Sequence, residues 1–162
     1  FTEPQKEIYE LVLKSQLAAI ACLTTAHRYE EYGDAALYVI VEGLMELGLL
    51  QGSIDDCITE KTYKQFYMHG IGHWLGLDVH DVGAYGREGA SRMLKPGMVL
   101  TVEPGIYIAP DDETVPEKYR GIGVRIEDDI LITHGAPVNL TAAIPKTIEE
   151  VEAACSTPLE TS

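Results

Sequence analysis

Apolar residues in the first third of the chain recur at helical spacing. Ile8, Leu11, Val12, Ser15, Ala18, Ala19 and Cys22 fall on one face of a segment from about Pro4 to Cys22, which predicts an amphipathic helix with one buried side. Thr2-Glu3-Pro4 gives that helix a start. Thr24 to Gly33 is polar and charged and reads as a loop. A second helix is predicted from Asp34, as N-cap, to Leu47, with Ala36, Val39, Ile40, Gly43, Leu44 and Leu47 inward and Gly48 as the stop. Residues 49–67 read as short helix and loop.

From His69 onward the pattern changes. Glycines become frequent and β-branched residues gather. Met98–Val102 and Ile106–Ile108 read as strands around Pro104-Gly105, and Gly123–Thr133 as one longer strand. Between them, Ala109–Arg120 is a polar loop. Pro145 opens a last helix, with Thr147 and Glu150 as its capping box. Helices, then strands, then a helix place the chain in the α+β class.

A length of 162 residues, 46% of them hydrophobic, suffices for one domain with a real core. No apolar run approaches the 18 or so residues of a membrane span. The formal net charge is -14, from 26 acidic and 12 basic residues. That balance argues against nucleic acid or an anionic membrane as partner and suits cation binding. Cys22, Cys57 and Cys155 are odd in number and form no CxxC pair, so they read as reduced thiols of a cytoplasmic protein. The opening Phe1-Thr2-Glu3-Pro4 has neither Met nor a signal-peptide pattern, and the expectation is a piece of something longer.

The chemistry concentrates in three places. Residues 68–83, MHGIGHWLGLDVHDVG, hold His69, His73 and His80. His69 and His73 are four apart, but no Glu follows the first His, so this is not the HExxH of zinc peptidases. Gly70, Gly72 and Gly76 argue for strand and turn, with a backbone that approaches something closely. Glu103 ends an apolar strand just before Pro-Gly. Arg125 and Glu127 alternate with Val124 and Ile126, so both lie on the face opposite the core. Asp128 and Asp129 read as surface or strand-end residues. A charged strand face is costly unless its charges pair or bind a cation. One imidazole with two carboxylates fits manganese, cobalt or magnesium better than structural zinc, and carboxylates that bridge usually hold two metals.

HGIGHWLGLDVHDVG, LKPGMVLTVEPGIYI and YRGIGVRIEDDILIT together resemble the pita-bread metallopeptidases, and most closely their bacterial Xaa-Pro aminopeptidase (aminopeptidase P) branch. The resemblance runs from Phe1 to about Ala154. It implies a pita-bread fold, a curved antiparallel sheet covered by helices and here incomplete. Residues 1–154 would be the C-terminal portion of a catalytic domain and 155–162 a tail. It implies two divalent metal ions, most commonly Mn2+, held by two Asp, one His and two Glu. By position His73, Glu103 and Glu127 match the His and Glu ligands. The Asp pair lies upstream of the part matched here. His69 matches a histidine that contacts substrate or shuttles a proton, His80 a second histidine near the scissile bond, and Arg125 a supporting arginine. The implied reaction is attack by a metal-bridging hydroxide on the carbonyl before proline, with Glu103 as general base and the histidines aiding the oxyanion. Substrates would be peptides with proline second, and the longer protein a homo-oligomer. Two alternatives stay open: a prolidase cleaving Xaa-Pro dipeptides, and a non-catalytic pita-bread module that binds peptides without metal.

Overall fold

A computed structural model describes residues 1–156. The first helix, α1, spans Glu3–Ala21. Its start is held by the Thr2 N–H donating to Gln5 Oε1 at 2.8 Å. The second, α2, spans Tyr29–Glu46 and begins five residues before the expected Asp34. Its N-terminus is closed by Glu31, whose carboxylate accepts from the Arg28 N–H at 3.1 Å and meets His27 Nδ1 at 2.6 Å. Tyr32 is fully buried in the first turn, so a stretch that reads as polar has an aromatic anchor. Gly48 has φ 73° and ends α2 as expected, since a left-handed residue after a helix favours glycine. The two helices touch closely: a Cβ on Gly43 would fall 2.2 Å from Leu11 Cδ1. A short helix, α3, Ile54–Thr59, and a 3-10 turn, Thr62–Gln65, follow.

The remainder is built from short antiparallel ladders. β1 (Leu75–Gly76) pairs with β2 (Val79–His80), and β3 (Gly86–Arg87) with β4 (Ala90–Ser91). β5 (Val99–Val102) pairs with β8 (Asp128–Leu131), β8 with β9 (Val138–Asn139), and β6 (Gly105–Tyr107) with β7 (Gly123–Arg125). The single strand expected over 123–133 is therefore two, β7 and β8, broken at Ile126-Glu127. The break faces Pro104, which has no N–H to give; its carbonyl accepts from the Ile126 N–H at 3.3 Å. The last helix, α4, spans Ile148–Ser156 and carries the expected capping box: Thr147 N–H to Glu150 Oε2 at 3.0 Å, Glu150 N–H to Thr147 Oγ1 at 3.2 Å. Residues 157–162 of the expected tail lie outside the described residues.

Strand alternation connects these ladders to the helices. Ile8, Val12, Ile40 and Leu44 pack with Ile106 and Ile126, while Ala19, Tyr32 and Ala36 pack with Leu100, Val102, Ile130 and Ile132. One side of the strands is thus committed to α1 and α2. Residues of opposite parity, including Thr101, Glu103, Arg125 and Glu127, are left to face the other way. Asp128 departs from its expected surface position. It is 1% exposed, and Lys146 Nζ lies 2.8 Å from its Oδ1.

Candidate active site

Ile71 to Trp74 runs extended beside β5. Thr101 N–H donates to the His73 carbonyl at 2.9 Å, Glu103 N–H donates to the Ile71 carbonyl at 2.7 Å, and Trp74 bridges to Leu100. The strand-and-turn expectation for this glycine-rich stretch therefore holds. Gly72 is where the backbone makes its close approach: a Cβ there would sit 2.1 Å from the Thr101 carbonyl oxygen.

His73 is thereby set beside Glu103, with Nε2 3.4 Å from Glu103 Oε1 and both side chains largely covered. Its Nδ1 is 3.0 Å from the Trp74 carbonyl. A carbonyl only accepts, so Nδ1 carries the proton and Nε2 presents a free lone pair in the neutral ring. Glu103 is held from both sides. Thr101 Oγ1 donates to Oε1 at 3.0 Å, and Arg125 Nη1 lies 3.5 Å from Oε2.

His69 lies further out and is fixed in the same way. Its Nδ1 is 2.7 Å from the Gly70 carbonyl and its Nε2 2.9 Å from the Tyr107 hydroxyl. Nδ1 is the donor, so Nε2 accepts the tyrosine proton. Tyr107 Oη in turn accepts from Arg125 Nε at 2.6 Å. One chain of contacts therefore joins His69, Tyr107, Arg125, Glu103 and His73. His80, exposed on the β1–β2 hairpin, places its ring 4.1 Å from that of His73. Its neighbour Val79 has φ 69°, a strained value for a β-branched residue, and such strain gathers at functional sites.

Glu127 is placed by register. The offset pairing Val102 with Asp128 is the one pairing Gly105 with Arg125, so Glu103 and Glu127 stand opposite each other where the ladder breaks. Burial pushes the Glu127 carboxyl above its ordinary range, and the negative charges of Glu103 and Asp129 push further; His73 and Arg125 oppose the shift. Like charges directly opposite are destabilising, and a cation between them relieves that.

Five of the six expected site residues, His69, His73, His80, Glu103 and Arg125, are joined by direct contact or adjacency, and Glu127 faces them. Among the described residues, no group of three or more His, Cys, Asp or Glu is arranged to hold a metal ion. The donor chemistry nevertheless fits one: a bare imidazole nitrogen and two facing carboxylates. Sequence reasoning missed Thr101, Tyr107 and Tyr29. Strand parity would have placed Thr101 on the Glu103 face and Tyr107 on that of Gly105.

The family model for metallopeptidase family M24 matches residues 1–134. The chain belongs to metallopeptidase family M24. Among its curated relatives, the Xaa-Pro aminopeptidase of Haemophilus influenzae is 53% identical over 94% of this chain and 35% of its own length. That of Escherichia coli is 52% identical over 94% and 34%. The chain thus spans about a third of the length of these relatives. Among solved structures, aminopeptidase PepP of Pseudomonas aeruginosa matches with a TM-score of 0.92 at 53% identity, over 94% of this chain and 35% of that one. Aminopeptidase P of Escherichia coli with the inhibitor Pro-Leu matches at 0.88, 52% identity, 94% and 34%. The fold is that of the matched part of aminopeptidase P, so the α+β pita-bread expectation is borne out. The family implies a divalent metal.

Proposed function

We propose that this chain carries the His and Glu part of the active site of a metal-dependent aminopeptidase that releases the first residue from peptides with proline second. The contact chain from His69 through Tyr107, Arg125 and Glu103 to His73, with Glu127 facing Glu103, is the observation that carries the reading. The names of the relatives support the substrate class, as does the Pro-Leu inhibitor of the Escherichia coli structure.

In this reading two divalent ions, manganese by preference, are held in part by His73 through Nε2 and by the Glu103 and Glu127 carboxylates. When bound, such ions supply Lewis-acid polarisation and lower the pKa of water. Glu103 is the general base; its carboxylate is oriented beforehand by Thr101 at Oε1 and Arg125 at Oε2. His80, whose ring lies beside that of His73, donates in this reading to the oxygen that becomes negative at the scissile carbonyl. His69 is engaged at both ring nitrogens, so it meets substrate by its ring face or by giving up Tyr107. Tyr107 and Arg125 hold that side of the site in one geometry. The free cysteines support a cytoplasmic setting, the excess of acidic groups supports peptides rather than nucleic acid or membrane as partners, and assembly into a homo-oligomer belongs to the same proposal.

The complete gene product, loaded with manganese, should be assayed on a tripeptide with proline second, its alanine analogue and an Xaa-Pro dipeptide. Release of the first residue from the proline tripeptide alone is expected. Cleavage confined to the dipeptide would make the protein a prolidase. Binding without cleavage would make it a peptide-binding module.

A further inference from the structure

We infer that Thr101 is a positioning residue that ties His73 and Glu103 into one unit. Thr101 is 1% exposed in the middle of a pairing surface, and its backbone N–H and its hydroxyl, as acceptor and as donor, are directed at those two residues. Its backbone N–H donates to the His73 carbonyl at 2.9 Å. Its hydroxyl oxygen accepts from the His73 backbone N–H at 3.0 Å. Its hydroxyl proton goes to Glu103 Oε1 at 3.0 Å. One side chain therefore grips the histidine backbone and turns the glutamate carboxylate toward the histidine ring.

A second hydroxyl completes the grip. Tyr29 Oη donates to the Gly72 carbonyl at 2.7 Å, so the Gly72-His73 peptide unit is held at its oxygen by α2 and at its nitrogen by β5. A phenol is protonated at neutral pH, and burial raises that of Tyr29 further, to about 12, so Tyr29 is a donor here. Gly72 is the residue that permits this, since any side chain there would collide with Thr101. With its peptide plane fixed and Nδ1 tied to the Trp74 carbonyl, the His73 ring has little freedom left. The three side-chain torsions of Glu103 are restrained by the Thr101 proton at Oε1 and by Arg125 at Oε2. Removing a hydrogen-bond partner that orients a ligand-type side chain typically costs about 10- to 100-fold in metal affinity or activity.

The inference rests on the proposed metal-dependent reading for its functional consequence, and the test separates the two. Thr101→Val removes the hydroxyl while keeping shape and strand preference, and Thr101→Ser keeps the hydroxyl while removing a methyl. In the complete gene product the manganese dissociation constant should rise about tenfold or more for Thr101→Val and stay within about threefold of the parent for Thr101→Ser. In this chain without metal, the His73 amide should exchange faster in Thr101→Val relative to global stability, and a crystal structure should show Glu103 turned away from His73; Thr101→Ser should change neither. A Thr101→Val protein with parental manganese affinity, His73 exchange and Glu103 rotamer would overturn the inference. Equal defects in Val and Ser would do so too, because the hydroxyl would not be the cause. If the parent protein itself binds no manganese, the functional reading falls, and exchange and rotamer alone decide the role of Thr101.

Discussion

Lys146→Met removes the cation that faces a fully buried carboxylate. Asp128 is 1% exposed and Lys146 Nζ lies 2.8 Å from its Oδ1, with the lysine side chain 15% exposed. The ammonium also donates to the Thr141 and Ile144 carbonyls, both at 3.0 Å, so each of its three protons has an acceptor. Breaking a buried pair from one side costs about 3–5 kcal/mol, because the remaining charge has lost its partner. Thr141 Oγ1 still donates to Asp128 in the variant, which places the expected loss near the lower end, about 3 kcal/mol. For a chain of this size that is about 6–12 °C in Tm. Urea and thermal unfolding at pH 7 of the parent, Lys146→Met, Asp128→Asn and the double variant form a cycle that isolates the pair. The double variant should be less damaged than the two single losses added together. A loss under about 1 kcal/mol for Lys146→Met, the range of exposed ion pairs, would mean that Asp128 does not depend on Lys146 as a buried partner.

Three further outcomes follow from the site. Gly72→Ala should destabilise by at least about 2 kcal/mol, read by urea unfolding, because a Cβ 2.1 Å from a backbone oxygen forces the main chain to move; an unchanged midpoint would contradict the close approach. Glu127 has its carboxyl raised above the ordinary 4.5 by burial and by Glu103. As pH rises from about that value the unfolded chain gives up its proton first, so this residue makes stability fall with pH. Glu127→Gln should flatten that part of the stability profile of the metal-free chain, and a steeper profile would contradict a raised Glu127 carboxyl. Tyr107→Phe in the complete gene product should lower turnover about 10- to 100-fold, the worth of a hydrogen bond to a charged group. Its manganese affinity should barely change, since Tyr107 touches Arg125 and His69 rather than His73; an equal loss of metal would place Tyr107 closer to the ion.

The sequence made α1 and α4 legible because their signals are local: Pro4 in the first turn, and Thr147 with Glu150 as a capping box. The start of α2 was not, because Arg28 and Glu31 cap it through a carboxylate reaching back three residues, and Tyr32 supplies an anchor in a stretch that looks polar. The break between β7 and β8 was hidden for a different reason. Val124 and Ile126 before it share one parity with Ile130 and Ile132 after it, with Asp128 between, and only the partner strand, with Pro104, reveals where pairing stops. Asp128 could not be read as buried because its counter-charge, Lys146, is distant in sequence and reaches it through tertiary packing. In the site, the imidazoles and carboxylates announced themselves by type and spacing. The hydroxyls of Tyr29, Thr101 and Tyr107 did not, because threonine and tyrosine are ordinary strand and helix residues until their partners are known.

In the proposed reading His73, Glu103 and Glu127 act together on a divalent cation. The decisive measurement is calorimetric titration of manganese into the complete gene product, into Glu127→Ala and into His73→Ala. The parent should bind tightly, and each variant should lose at least one site or about tenfold or more in affinity. Parental stoichiometry and affinity in both variants would contradict it.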